Sequence, residues 1–304
     1  MTKTATQTGK IALIGFGEVA QAFVEGWGTS VAKVAWSHDI KTSHPDAAVR
    51  EGKRADFGQW GVTGCHSPAE ALDGARLVFS LVTADQALAA ADAAAPHMTK
   101  GTLFLDGNSC APGTKRRAAA AVEAAGAHYV DMAIMAPVHP KLHRTPLLIS
   151  GPHIKEALQA LNGLEMQADV SPGPVGASSS IKMIRSVMMK GLEAVFLECV
   201  LAGRKAGVDE TVLDSLDRTY PGFDFKAKAG YMLERAMTHG IRRAAEMREV
   251  ARTIEELGLS NPVSQATAQW EQAIGDLAVN VEGGAYEPMA DAILARLFAE
   301  ENAA

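Results

Sequence analysis

Cysteine is scarce in this chain, and the three present, Cys65, Cys110 and Cys199, are widely spaced with no C-x-x-C pair. Neither a disulfide framework nor a zinc site is expected from them, and a reducing cytoplasm suits such a chain best. No bound metal is expected. Positive charge is also short, with 29 Lys and Arg against 35 Asp and Glu, and the basic residues are scattered among acids. A nucleic-acid-binding face needs clustered cations, so nucleic acid is not an expected partner. Long apolar runs are missing: the most apolar late stretch, Val187 to Ala202, is broken by Lys190, Glu193 and Glu198. The first nine residues are polar, without an apolar core. The expectation is therefore no export signal and no membrane span. Internal repeats and low-complexity linkers are absent too. What remains is a chain of 304 residues, 47% hydrophobic and 21% charged, long enough for about two ordinary globular domains.

The first apolar run, Lys10 to Ile14, ends at Gly15, Phe16, Gly17, Glu18, Val19 and Ala20, and an amphipathic run to Trp27 follows. Strand, tight glycine turn, helix is the reading, in the G-x-G-x-x-G/A form of a dinucleotide site. Gly15 permits the turn, Gly17 lets backbone N–H groups approach a pyrophosphate, and Ala20 is small enough for close helix-to-strand packing. A second apolar run, Val31 to Trp36, leads to Ser37, His38 and Asp39, placing Asp39 roughly 20 residues beyond the glycines, where an adenosine ribose ligand belongs. Asp39 would accept from the ribose hydroxyls and repel a 2′-phosphate, which favours NAD. Two alternatives stand beside it: Ser37, His38 and Lys41 surrounding the phosphate of NADP, or Asp39 as a solvated turn residue.

Ser67, Pro68 and Glu70 open a short helix, Arg76 to Val82 reads as a buried strand, and Thr102 to Asp106 as another. In an open α/β sheet the ligand lies outside the carboxyl ends of the strands, so the turns at Leu81, Val82 and Thr83 and at Asp106 to Ser109, with Asn108, belong beside the cofactor. Alternating strand and helix signals over about the first 170 residues predict an α/β fold with a doubly wound parallel sheet, a Rossmann domain over residues 1–172. Beyond it, helical patterns near 177–206, 209–218, 226–256, 262–278 and 286–301 predict an all-α domain over residues 173–304.

Between the two, Gly173, Pro174 and Gly176 give way to Ser178, Ser179 and Ser180, three residues able to cap a helix running to about Ala206. Ser178, Lys182, Arg185, Ser186 and Lys190 fall on one stripe of it. Lys182 sits about one turn inside the helix start, where the macrodipole disfavours a cation and burial would depress its pKa further, a setting for proton exchange. The alternative is a surface lysine on an amphipathic helix. Met183, Met188 and Met189 read as core packing.

With Gly15 to Ala20, Asp106 to Ser109 and Gly173 to Ser186 in view, the chain resembles the β-hydroxyacid dehydrogenase superfamily, which includes 6-phosphogluconate and 3-hydroxyisobutyrate dehydrogenases, over nearly its whole length. The resemblance implies a Rossmann domain, a long interdomain helix and a helical C-terminal domain, commonly in a homodimer or tetramer. The family's helix opens G-x-x-G-x-G-x-x-x-K-x-x-x-N, matched here by Gly173, Gly176 and Lys182, so its proton-exchanging lysine maps onto Lys182. Two positions depart from the pattern: Ser178 stands where the third glycine is expected, and Ser186 where the asparagine is. The family's D-A-P-V-S-G-G segment corresponds to Asp131 to Pro140, whose Met135, Ala136 and Pro137 would line a more apolar substrate pocket. The later K-D-L motif is absent, and Arg242, Arg243 and Glu246 stand in that region.

The resemblance implies an NAD(P)-dependent oxidoreductase moving a hydride between nicotinamide and the carbinol carbon of a hydroxy acid or related alcohol that carries an apolar part. Lys182 would be general acid/base, with Ser109, Met135, Ala136, Pro137, Ser186 and Lys190 around the substrate. Two rival readings are an imine reductase, which shares the architecture but usually places another residue where Lys182 stands, and a non-catalytic dinucleotide sensor. His139 and His143, beside Lys141 and Arg144, are loop histidines or an anion-attracting group, and Arg243 with Arg242 is an exposed pair or a carboxylate clamp.

Overall fold

The computed structural model describes residues 9–281 and 284–301. Its contacts divide the chain into two compact units, residues up to Met183 and residues from Ile184 onward.

The first unit alternates strand and helix. It begins β1 (Ile11–Ile14), α1 (Glu18–Trp27), α2 (Thr29–Ala32), β2 (Ala35–His38), α3 (Ala47–Trp60), β3 (Thr63–Cys65), α4 (Pro68–Leu72) and β4 (Leu77–Ser80). It continues through α5 (Ala87–Ala94), β5 (Leu103–Asp106), α6 (Pro112–Ala124), β6 (His128–Ile134), β7 (Leu147–Ser150), α7 (Ile154–Gly163) and β8 (Ala168–Val170). The strands form one sheet in the order β3-β2-β1-β4-β5-β6-β7-β8. Apolar residues occupy both faces. Ile11 and Leu13 join one layer with Phe23, Trp27, Phe79 and Leu105, while Ala12 and Ile14 join the other with Val78, Phe104 and Tyr129. Burial on both faces is why these strands read as continuous apolar runs.

The sheet departs from the all-parallel expectation at one pairing: β7 runs antiparallel to β6, and β8 parallel to β7. Between Ile134 and Leu147 the chain forms only a loop with a short 3-10 turn at Leu142–Arg144. Without a crossover helix to return it to the starting edge, the strand folds back on its neighbour.

α8 (Ala177–Ala206) is a single helix of 30 residues, followed by α9 (Asp209–Thr219), α10 (Phe225–Glu256), α11 (Pro262–Asp276) and α12 (Tyr286–Glu301). These lie where the apolar periodicity predicts. The second unit has its own core, with Leu197, Val200, Leu233, Ala236, Ile274 and Ile293 fully or almost fully buried. α8 reverses one expectation: Met183 is buried, but Met188 is 64% and Met189 43% exposed, so these two are not core packing. Ile184 and Val195 are exposed as well, whereas Ser178, Ser179, Ser186 and Lys190 are buried. In this first half of the helix the residues turned inward are mostly those of the polar stripe, with Arg185 exposed.

α10 and α11 cross where both helices carry glycine. A Cβ on Gly240 would stand 2.3 Å from the Glu271 carbonyl oxygen, and one on Gly275 would stand 2.7 Å from the Ile241 nitrogen. Both neighbours are backbone and cannot swing aside. Gly240→Ala should therefore lower stability by about 2–3 kcal/mol in a urea titration, against the slight gain that alanine brings to an open helix position.

Candidate functional site

The order of the strands reverses between β1 and β4, and the crevice at such a point is where an open α/β sheet takes its ligand. β1 is followed by Gly15, whose φ of +89° belongs to glycine and whose added Cβ would lie 2.5 Å from the Leu81 carbonyl oxygen just past β4. Gly17 is the N-cap of α1, no side chain caps that helix, and a Cβ built on Gly17 meets nothing within 4 Å. Open space before an uncapped helix start suits a pyrophosphate, so the glycine turn fits the dinucleotide that the fold implies. Ala20 is fully buried against the sheet. Glu18 is exposed and Val19 half-buried beside it.

Asp39 lies just past β2, 9% exposed. Its Oδ2 accepts from the Phe16 N–H at 2.8 Å and its Oδ1 from the Lys41 N–H at 2.9 Å. The Phe16 carbonyl in turn accepts from Lys53 Nζ at 2.7 Å. Both backbone groups of Phe16 are thus engaged within the protein, and its ring is buried against Phe57. Phe16 secures the turn and does not offer an amide to a ligand. Ser37 is also corrected: it is fully buried, on the same side of β2 as Ala35, and its Oγ donates to the Leu13 carbonyl at 3.1 Å. It cannot reach a 2′-phosphate. His38 is half-buried on the opposite side, with Nδ1 3.3 Å from the Cys65 carbonyl oxygen.

At the ends of β4 and β5, Asn108 is 3% exposed. Its Oδ1 accepts from the Val82 N–H at 2.7 Å and its Nδ2 donates to Ser80 Oγ at 2.9 Å. It holds the turn after β4 at the Val82 amide. Leu81 is buried, Val82 half-buried and Thr83 exposed. The next residue, Ser109, is half-buried, and Lys182 Nζ donates to its Oγ at 2.6 Å. Two residues 73 positions apart are brought together by β5 and the first turns of α8. Met135 and Ala136, past the end of β6, are half-buried and Pro137 is exposed.

What places Lys182 is a carboxylate that sequence reasoning passed over. Asp131, fully buried in β6, accepts at Oδ2 from the N–H groups of Gly176 and Ser179, each at 3.1 Å, and from Ser150 Oγ at 3.2 Å. Its Oδ1 accepts from Ser179 Oγ at 2.5 Å, and its carbonyl from Ser178 Oγ at 3.0 Å. Ser178 and Ser179 therefore do not cap their own helix but bind the aspartate that does, Ser178 standing where the family glycine is missing, while Ser180 Oγ donates to the Gly176 carbonyl at 2.7 Å. Lys115 Nζ, also fully buried, lies 3.5 Å from Asp131 Oδ1 and 2.9 Å from Asp106 Oδ1. Burial alone would raise the Asp131 carboxyl, but the Lys115 ammonium and the hydrogen bonds from Ser179 and Ser178 outweigh it and hold it below the usual carboxylate range. Aspartates inside otherwise apolar strands were the available signal, since a buried carboxylate requires a partner.

In the second unit Ser186 is 8% and Lys190 7% exposed, and Lys190 Nζ donates to Glu246 Oε2 at 2.5 Å. Arg243 is not a clamp awaiting a carboxylate: it is buried and bonded to Glu193, with Glu271 Oε1 at 3.3 Å. Nor do the loop histidines gather around an anion. His143 is buried against Gly26, and Arg144 pairs with Glu165 at 2.5 Å. Among the described residues one group has metal-ligand spacing, His128, His153 and Glu156, at the start of β6 and α7. The two imidazoles stack at 4.1 Å with planes 3° apart, so no single ion lies in the plane of both rings.

Comparison with known proteins agrees with this geometry. Residues 10–178 match the family model described as the NAD binding domain of 6-phosphogluconate dehydrogenase, and residues 204–274 match a domain of unknown function, DUF1932. A conserved hypothetical protein from Sinorhizobium meliloti 1021 is 35% identical, with a TM-score of 0.71 over 96% of this chain and 98% of that one. The conserved protein MTH1747, described as structurally similar to 3-hydroxyacid dehydrogenases, is 28% identical, with a TM-score of 0.63 over 88% and 97%. The 3-hydroxyisobutyrate dehydrogenase of Mycobacterium tuberculosis, solved with L-serine, shares the fold at 13% identity and a TM-score of 0.68 over 94% and 99%. Sheet order, glycine turn and long helix define a dinucleotide-binding protein of hydroxyacid dehydrogenase fold. The chain belongs to the family of the 6-phosphogluconate dehydrogenase NAD-binding domain. Among the described residues no helix is long and apolar enough to cross a membrane.

Burial pushes the Glu271 carboxyl up to about 8, and the Glu193 carboxylate pushes the same way against the pull of Arg243. An acid whose folded pKa is raised keeps its proton in the folded state while the unfolded chain loses it, so stability falls as pH rises from about 4.5 to about 8. Urea titrations of wild type and Glu271→Gln across that window should show a decline in the first that is reduced in the second.

Proposed function

We propose that this protein is an NAD(P)-dependent oxidoreductase acting on the carbinol carbon of a hydroxy acid or related alcohol, with Lys182 as general acid/base. The observation that carries the reading is the 2.6 Å contact between Lys182 Nζ and Ser109 Oγ, at the carboxyl end of β5, on the ligand side of a dinucleotide-binding sheet. A bound nicotinamide would supply the hydride chemistry. In the oxidation direction the carbinol C–H bond would break with its hydrogen leaving as hydride, the carbinol oxygen would become a carbonyl oxygen, and the O–H proton would pass to the Lys182 amine. In reduction Lys182 returns that proton to the developing alkoxide. Ser109 directs the lysine and holds the substrate oxygen, while Met135, Ala136 and Pro137 present apolar surface to the rest of the substrate.

Division at residues 172 and 173 into a cofactor domain and a substrate domain is part of this reading, as is a homodimer. Asp39 is the ribose acceptor: each of its oxygens already holds one hydrogen bond and keeps a second lone pair for a hydroxyl, which favours NAD over NADP. Ser186 and Lys190 stay in the reading as substrate contacts, with the Lys190 ammonium paired to Glu246 Oε2 at 2.5 Å.

Titration with NADH and NADPH, followed by nicotinamide fluorescence, should show NADH binding tightly and Asp39→Ala weakening it by about tenfold. Preference for NADPH would move the recognition to His38 and Lys41. On a panel of hydroxy acids, Lys182→Ala should keep cofactor affinity and lose at least about 100-fold in kcat. Retained turnover sinks the role, and wild-type turnover of cyclic imines alone would move the protein to imine reduction.

A further inference from the structure

Asp106 and Asp131 are partners in register on the parallel strands β5 and β6, and both are fully buried. Neighbouring strands lie about 4.8 Å apart, so two carboxylates are held side by side without water. Unaided, like charges so placed repel, and one would take up a proton.

The third member is Lys115, a fully buried residue in the first turn of α6. Its Nζ donates to the Asp106 carbonyl oxygen at 2.6 Å and to Asp106 Oδ1 at 2.9 Å, and forms an ion pair with Asp131 Oδ1 at 3.5 Å. Burial opposes its charge, but Asp106, Cys110 and Asp131 together outweigh that and keep the ammonium protonated. It is therefore no proton shuttle.

Each aspartate then holds one half of the candidate reaction centre. Asp106 Oδ1 accepts from the Asn108 N–H at 3.0 Å, fixing the turn that presents Ser109, and its Oδ2 accepts from Tyr129 Oη at 2.6 Å. Asp131 fixes the amides of Gly176 and Ser179, one turn before Lys182. The path from Ser109 to Lys182 through the interior thus runs by Asp106, Lys115, Asp131 and Ser179.

We propose that Lys115 is a positioning residue that keeps the Ser109 turn and the Lys182 helix in register by bridging Asp106 and Asp131. This rests on the reading of Lys182 and Ser109 as the reacting pair. A role in stability alone would lower the unfolding midpoint and leave the folded enzyme's turnover unchanged.

The test compares wild type, Lys115→Met and Tyr129→Phe, with folding verified by circular dichroism. Two readouts are used: kcat and KM on the hydroxy acid that wild type turns over fastest, and the Cε–Hε signal of Lys182 in 13C-lysine-labelled protein, assigned by its loss in Lys182→Arg. Lys115→Met should bind NADH within about threefold of wild type, lose about 100-fold in kcat with a much smaller change in KM, and shift the Lys182 signal. Tyr129→Phe keeps every charge and removes one hydrogen bond to Asp106. It should lose about fivefold in kcat and shift the same signal, and it carries the test if Lys115→Met does not fold. A folded variant with wild-type kcat and an unmoved Lys182 signal overturns the proposal. If wild type turns over no hydroxy acid, the reaction assignment fails, and the Lys182 signal alone still decides whether Lys115 positions it.

Discussion

The first amides of α8 point at a carboxylate that belongs to another element, and the first unit's candidate chemistry depends on that capture. A helix start leaves N–H groups without intrahelical partners, and a buried start must find acceptors elsewhere. Asp131 supplies two of them from the sheet, so the position of the first turn of α8 is set by a strand residue. Lys182, three residues beyond Ser179, inherits that placement. Because the carboxylate itself needs a counter-charge in a dry interior, Lys115 and with it Asp106 follow from the same requirement.

The glycine turn after β1 is built by a different principle. There the backbone approaches so closely that side chains are excluded, and Gly15 against the Leu81 carbonyl is the tight point. Asp39 and Lys53 then tie the Phe16 peptide from both sides. Rigidity on the protein side of the turn and empty space on the other are the two conditions a phosphate cradle needs.

Much of this was legible in the residues. Glycine spacing gave the turn, apolar periodicity gave the helices from Ala177 to Glu301 nearly to the residue, and the long helix with its lysine was recognisable from motif alone. What escaped has physical reasons. Ser37 and His38 differ by one position on a strand, and a period of two sends them to opposite faces, which spacing from the glycines cannot resolve. Asn108 looked like a ligand because it stands at a strand's carboxyl end, but its amide is turned to Val82 and Ser80. In the first half of α8, Ser178 and Ser179 turn inward to Asp131 and Lys190 to Glu246, leaving Met188 and Ile184 outside, whereas further along Phe196, Leu197 and Val200 are buried as in an ordinary amphipathic helix. β7's direction depends on the missing crossover helix, a property of the connection rather than of the strand.

The Asp106, Lys115 and Asp131 trio also bears on how such a sequence can change over time. Losing the lysine leaves two dry carboxylates opposed, and losing either aspartate strips the ammonium of acceptors, so each single step is costly. Changing all three positions together to apolar residues would not escape the cost, because the Gly176, Ser179 and Asn108 amides would lose their acceptors. The three sites are therefore locked as one heritable unit.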